Sequence, residues 1–69
     1  MTMTETECGN LLRKTRKSMG LTIEEMAEHL DVSTTTLSLW ERGKSYPDAN
    51  HRATINSIIG ISIPERSAT

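Results

Sequence analysis

Residues 22 to 43 read TIEEMAEHLDVSTTTLSLWERG, and the reading of this stretch decides the fold. It contains two helix starts of the same kind. Thr22 with Glu25 three residues on forms a capping box, and Leu21 before the cap stands where it can staple onto Met26. Ser33 is a good cap for a second helix, with Val32 and Leu37 in the same staple positions. The spacing predicts helices over about Thr22 to Leu30 and Ser33 to Arg42, joined by a tight turn: a helix-turn-helix unit. Asp31 is the hinge of that turn, because aspartate tolerates positive φ better than most residues, though less well than glycine.

Phase assigns the faces. The first of these helices puts Ile23, Met26, Ala27 and Leu30 on one side and Glu24, Glu25 and Glu28 on the other. Ala27 is the small residue where another helix can cross closely. In the second helix Leu37 and Trp40 share the inward stripe. At 100° per residue Thr35, Ser38, Leu39 and Arg42 point the opposite way, with Thr34 at the edge of that outer face.

Working outward, an earlier helix begins between Thr4 and Asn10 and runs to about Met19. Thr4 with Glu7 offers a capping box, but Gly9 weakens any helix that includes it, so Asn10 is a rival cap. Leu11, Leu12, Thr15 and Met19 form its apolar edge, and Gly20 ends it. Beyond Gly43, Asp48 caps a fourth helix of about ten residues, with Ala49, Ala53, Ile55, Ile58 and Ile59 apolar and Gly60 as its stop. Residues 1 to about 5 and 65 to 69 are expected to be loose. The expectation is an all-α protein, a compact bundle of four to five helices in one domain over residues 1–69.

Composition excludes several classes. The chain has 69 residues, 8 Lys plus Arg, 9 Asp plus Glu and a net charge of −1, so it is not a strongly basic coating protein. Distribution matters more than the sum. Arg13, Lys14, Arg16 and Lys17 crowd one segment and Arg42 and Lys44 another, which is enough for a positive face. Cys8 is the single cysteine, so neither a disulfide nor a cysteine zinc site is expected. There is no signal peptide and no run of membrane-span length, which predicts a cytoplasmic, nucleoid-associated protein. His29 and His51 look like unaccompanied surface histidines. With no Ser/His/Asp grouping, paired carboxylates or Gly-rich phosphate loop, no catalysis, cofactor, metal or small-molecule ligand is expected.

From about Leu12 to Ile63 the chain resembles the helix-turn-helix domains of phage repressor and Cro-type regulators, the XRE-like family. The resemblance rests on Gly20-Leu21-Thr22, Met26-Ala27, Leu30, Val32-Ser33, Leu37-Ser38, Trp40-Glu41-Arg42-Gly43-Lys44 and Pro47. It implies a lambda-repressor-like bundle whose third helix enters the DNA major groove. It also implies a buried structural ion pair between Arg16 and Glu41. Three positions depart from the family pattern. Ile23 replaces a phosphate-touching glutamine, Asp31 replaces a turn glycine, and Arg52 and Asn56 stand where the fourth helix is normally apolar.

Under that resemblance the base-reading residues are Thr34, Thr35, Ser38 and Leu39. None is Gln, Asn or Arg, so reading would depend on hydroxyls, thymine methyls and DNA shape. Phosphate contacts fall to Thr22, Ser33, Arg42, Lys44, Ser45, Tyr46 and Arg13. One small domain makes few contacts, so a homodimer on a two-fold symmetric double-stranded operator is expected, with recognition helices about 34 Å apart. Ile58, Ile59, Ile61 and Ile63 are the candidate dimer surface, or else they close the monomer core. The chain length suits a phage- or prophage-type Cro-like repressor. The rival reading is a protein-interaction module of the same fold, an antirepressor or antitoxin component, kept in view by the acidic balance, Ile23 and Leu39.

Overall fold

A computed structural model describes residues 1–67. Among them the order is β1 (Thr2–Met3), α1 (Glu5–Ser18), α2 (Ile23–His29), α3 (Thr34–Glu41), α4 (Ala49–Ile59) and β2 (Glu65–Arg66). The all-α bundle expected from the sequence is present, with four helices and two minor strands.

Each helix starts on a side chain that accepts a backbone N–H. Thr4, Thr22, Ser33 and Asp48 accept from Glu7, Glu25, Thr36 and His51 respectively. Such bonds satisfy donors that a helix start otherwise leaves orphaned. The choice left open for α1 falls on Thr4, whose capping box with Glu7 is complete at 3.1 and 2.8 Å. Caps of this kind favour the ionised carboxylate. The backbone N–H of Thr22 holds the Glu25 carboxyl below its ordinary pKa, and that of His51 does the same for Asp48.

The first three helices also stop alike. Leu21 N–H reaches Arg16 O, Val32 N–H reaches Ala27 O and Lys44 N–H reaches Leu39 O, the long bond of a Schellman stop in each case. The residue inside each loop has positive φ: Gly20 at 70°, Asp31 at 57° and Gly43 at 73°. Asp31 is the described residue other than glycine that pays this strain. Asp31→Gly should therefore raise stability by up to ~1 kcal/mol, the relief of the strained backbone exceeding the entropy glycine adds to the unfolded chain. A differential-scanning melt should show the midpoint rising by a few degrees, and a fall would refute the assignment.

α3 packs against both α1 and α2. The core they enclose contains Cys8, Leu12, Met26, Ala27, Leu30, Leu37, Trp40, Ile55 and Ile63. Burial raises the Cys8 thiol to about 11, the positive charge of Arg52 offsetting part of the rise. Folding thus holds the proton, so this group's contribution to stability is lost as pH climbs from about 9, the ordinary value, through about 11. At pH 8 a disulfide reagent should react with the native protein at least about a hundredfold more slowly than with the urea-unfolded chain. Equal rates would show Cys8 to be accessible.

Several expectations need correction. Within the ends expected to be loose, β1 and β2 pair in parallel, Thr2 beside Glu65 and Met3 beside Arg66. Ser67 N–H adds a 2.7 Å bond to Met3 O, and Arg66 reaches Glu5 at 3.2 Å. A local pattern could not show this pairing, because its partners lie at opposite ends of the chain. Residues 68 and 69 of the expected tail lie outside the described residues. In α4 only Ile55 is buried, while Ala49, Ala53 and Ile58 are exposed and Ile59 half-buried. Met19, placed on the apolar edge of α1, is exposed too. Arg52 and Asn56 tie the ends of α4 to its flanking loops, donating to Pro47 O at 3.1 Å and Ile61 O at 3.2 Å. His51 is not unaccompanied. Its Nδ1 lies 2.9 Å from Asp48 Oδ1, and its ring meets Trp40 edge-on at 5.2 Å between centroids.

Candidate nucleic-acid interface

The interface is defined by how α3 is fastened. Leu37, Trp40 and Glu41 are buried, which turns the opposite side of the helix outward. Glu41, 5% exposed, is the buried charged residue of the core. Arg16 grips its carboxylate twice, Nε to Oε2 at 2.8 Å and Nη2 to Oε1 at 3.0 Å. The third guanidinium contact, Nη1 to Leu21 O at 3.1 Å, reaches the entry to α2. One side chain of α1 thereby holds both helices of the unit in register. Hydrogen bonding to the Glu41 side chain raises the pKa of Arg16 above its ordinary value, so the guanidinium keeps its charge. No buried side-chain nitrogen or oxygen among the described residues is left without a partner.

On the outward side Thr34 and Thr35 are exposed, and Ser38 and Leu39 are half-buried. These four expected readers therefore share one continuous face of α3, with exposed Arg42 at its C-terminal end. Leu39 is less prominent than its phase suggested. Its apolar side chain is partly covered, and its carbonyl accepts from Lys44 and Ser45.

The seven expected phosphate contacts divide into groups. Arg42 and Lys44 are exposed, with no side-chain bond among the described residues. Thr22 and Ser33 are exposed at the starts of α2 and α3, where each hydroxyl accepts an N–H of its own helix. Ser45 is half-buried behind Lys44. Arg13 is engaged internally, its Nη2 donating to Glu41 O at 3.0 Å. That carbonyl belongs to the last turn of α3, which has no helical donor of its own. Tyr46 likewise has an internal partner, its hydroxyl donating to Pro64 O. Burial raises its phenol pKa, so this proton is firmly held at neutral pH.

The third threonine of the run, Thr36, turns to the helix cap and not outward with Thr34 and Thr35. Thr36, half-buried, lies behind Ser33, its hydroxyl 2.9 Å from the serine oxygen. Its three-residue spacing from the cap is the capping-box position, and its N–H donates to Ser33 Oγ at 3.0 Å. The four candidate dimer isoleucines separate: Ile63 is in the core, Ile59 and Ile61 are half-buried against it, and Ile58 is 49% exposed. No group of three His, Cys, Asp or Glu among the described residues is placed to hold a metal.

Comparison with known proteins agrees with this geometry. The helix-turn-helix family model HTH_3 matches residues 12–65. Over 59 residues the chain is 37% identical to the HTH-type transcriptional activator BcrR of Enterococcus faecalis, covering 86% of this chain and 29% of that protein. A crystal structure of an HTH_3 family transcriptional regulator from Vibrio cholerae matches with a TM-score of 0.77 at 33% identity, covering 87% of this chain and 34% of that one. The chain thus spans about a third or less of the length of these relatives. No helix among the described residues is long and apolar enough to cross a membrane. With its turn, its buried Arg16–Glu41 pair and its outward α3 face, the chain belongs to the helix-turn-helix family of the phage repressor and Cro (XRE-like) type.

Proposed function

We propose that this chain reads double-stranded DNA with the outer face of α3, and that it does so as a homodimer on a two-fold symmetric operator. The observation that carries the reading is the fastening of α3 by Leu37, Trp40 and Glu41. That fastening turns Thr34, Thr35, Ser38 and Leu39 outward, and on this reading they meet the groove while Arg42 and Lys44 meet the phosphates. Hydroxyls both donate and accept, so they discriminate bases weakly. Selectivity then comes from thymine methyls against the threonine and leucine methyls, and from DNA shape. Ile58, with Ile59 and Ile61 beside it, is the apolar contact between protomers, and Ile63 is withdrawn from that role by its burial. Occupying a promoter in this way makes the protein a phage- or prophage-type repressor, working in the cytoplasm on the nucleoid.

Selection of bound duplexes from a random pool tests the reading, and half-sites about one helical turn apart are expected. Fluorescence anisotropy should show affinity falling steeply with salt as counterions are released. Arg42→Ala should weaken binding roughly tenfold on every sequence alike and lower the salt slope by about one. A loss confined to some sequences would make Arg42 a base reader instead. The exposed acids Glu24, Glu25 and Glu28 on α2, with Asp31, favour a second reading as a protein-interaction module. That reading takes over if no duplex pool binds at low salt.

A further inference from the structure

The segment from Ile61 to Ser67 lies against the domain as a strap. Asn56 Nδ2 donates to Ile61 O at 3.2 Å, and the Ile63 side chain is buried in the core. Next, Pro64 O accepts the Tyr46 hydroxyl, and Glu65 and Arg66 pair with Thr2 and Met3. The strap closes on the 2.7 Å bond from Ser67 N–H to Met3 O. Tyr46 belongs to the loop that follows α3, immediately after Lys44 and Ser45. The backbone N–H groups of those two residues both donate to Leu39 O, at 2.9 and 3.4 Å. From the other side the first turn of α1 abuts the loop. A Cβ built on Gly43 would stand 3.3 Å from Thr6 Cα. The loop is therefore enclosed by α3, by α1 and, through one phenol, by the strap.

We propose that the strap is a positioning element for the Lys44–Ser45 loop, with Tyr46 as its latch, so that DNA affinity depends on whether the strap is seated. Tyr46 is then a positioning residue and not a phosphate contact, since its hydroxyl proton is committed to Pro64 O. The strap is no part of the reading face, yet it sets where Lys44 and Ser45 are held. Anything that competes for Met3 O or lifts Pro64 O from the phenol would loosen the loop and weaken binding without altering sequence preference. The affinity half of this proposal rests on the DNA-reading function above, whereas the latch itself does not.

Two variants test it in the full chain. Tyr46→Phe removes the hydroxyl, and Ser67→Pro removes the N–H donor to Met3 far along the strap from the loop. Hydrogen exchange in the DNA-free protein should quicken at the amides of Lys44 and Ser45 in both variants, by about three- to tenfold, while α2 amides are unchanged. On a selected duplex each variant should lose affinity by a similar factor, and the double variant should be no weaker than the weaker single one. Unchanged exchange at 44 and 45 in Tyr46→Phe, or fully additive losses in the double variant, would overturn the latch. Quickened exchange in a protein whose parent binds no duplex would uphold the latch and remove the affinity half together with the DNA reading.

Discussion

Arg16→Ala should destabilise the domain by about 3–5 kcal/mol, the cost of leaving a buried charge without its partner. Glu41 is 5% exposed and its carboxylate takes two bonds from Arg16, so the truncation strands it in the core. It also frees Leu21 O at the entry to α2. A domain of this size has a total stability of about 5–10 kcal/mol, so the variant should be substantially unfolded in mild denaturant at 25 °C. Urea titration followed by circular dichroism measures this. The double variant Arg16→Met/Glu41→Leu should recover much of the loss, because apolar groups of similar size remove the stranded charge along with the pair. A single variant within about 1 kcal/mol of the parent would mean that water reaches Glu41.

Gly9→Ala should destabilise by about 1–3 kcal/mol, against the sign that helix propensity gives. Gly9 lies inside α1, where alanine would ordinarily gain about 1 kcal/mol. A Cβ there would sit 2.6 Å from both Trp40 O and Glu41 O. Those are backbone atoms at the end of α3 and cannot swing aside. α1 would have to move away from α3, straining the Arg16–Glu41 bonds that join the same two helices. The melting midpoint should therefore fall, by several degrees for each kcal/mol in a domain of this length. A rise would show that the two helices separate at little cost, and would place the closeness of their packing in doubt.

The helix-turn-helix unit was legible because its signals are local. Thr22, Ser33 and Asp48 announce their helices by hydrogen bonds that span three residues, and Gly43 and Asp31 announce stops by backbone conformation alone. The inward turn of Leu37 and Trp40 followed from phase, and with it the set of residues on the outer face of α3. Arg16 with Glu41 was readable only through the family resemblance, since nothing local relates residues so far apart in sequence. Arg13 and Tyr46 show the limit of such reading. Each has the chemistry of a phosphate contact, but each finds an internal carbonyl within reach once the chain is folded. The apolar pattern of α4 misled for a related reason: that helix buries Ile55, half-buries Ile59 and uses Arg52 and Asn56 to hold its ends.

By itself, then, the sequence determined where α2, α3 and α4 begin, where the helices stop, which face of α3 is buried, and that this face opposes a row of hydroxyls. These follow from interactions within one or two turns of chain, whose geometry is the same in any protein. Only the tertiary structure decided that Gly9 is a contact and not a defect, that the two ends of the chain pair, and that Tyr46 points to Pro64. Those outcomes depend on distances between segments remote in sequence, which the packing of the whole core sets and no local pattern encodes.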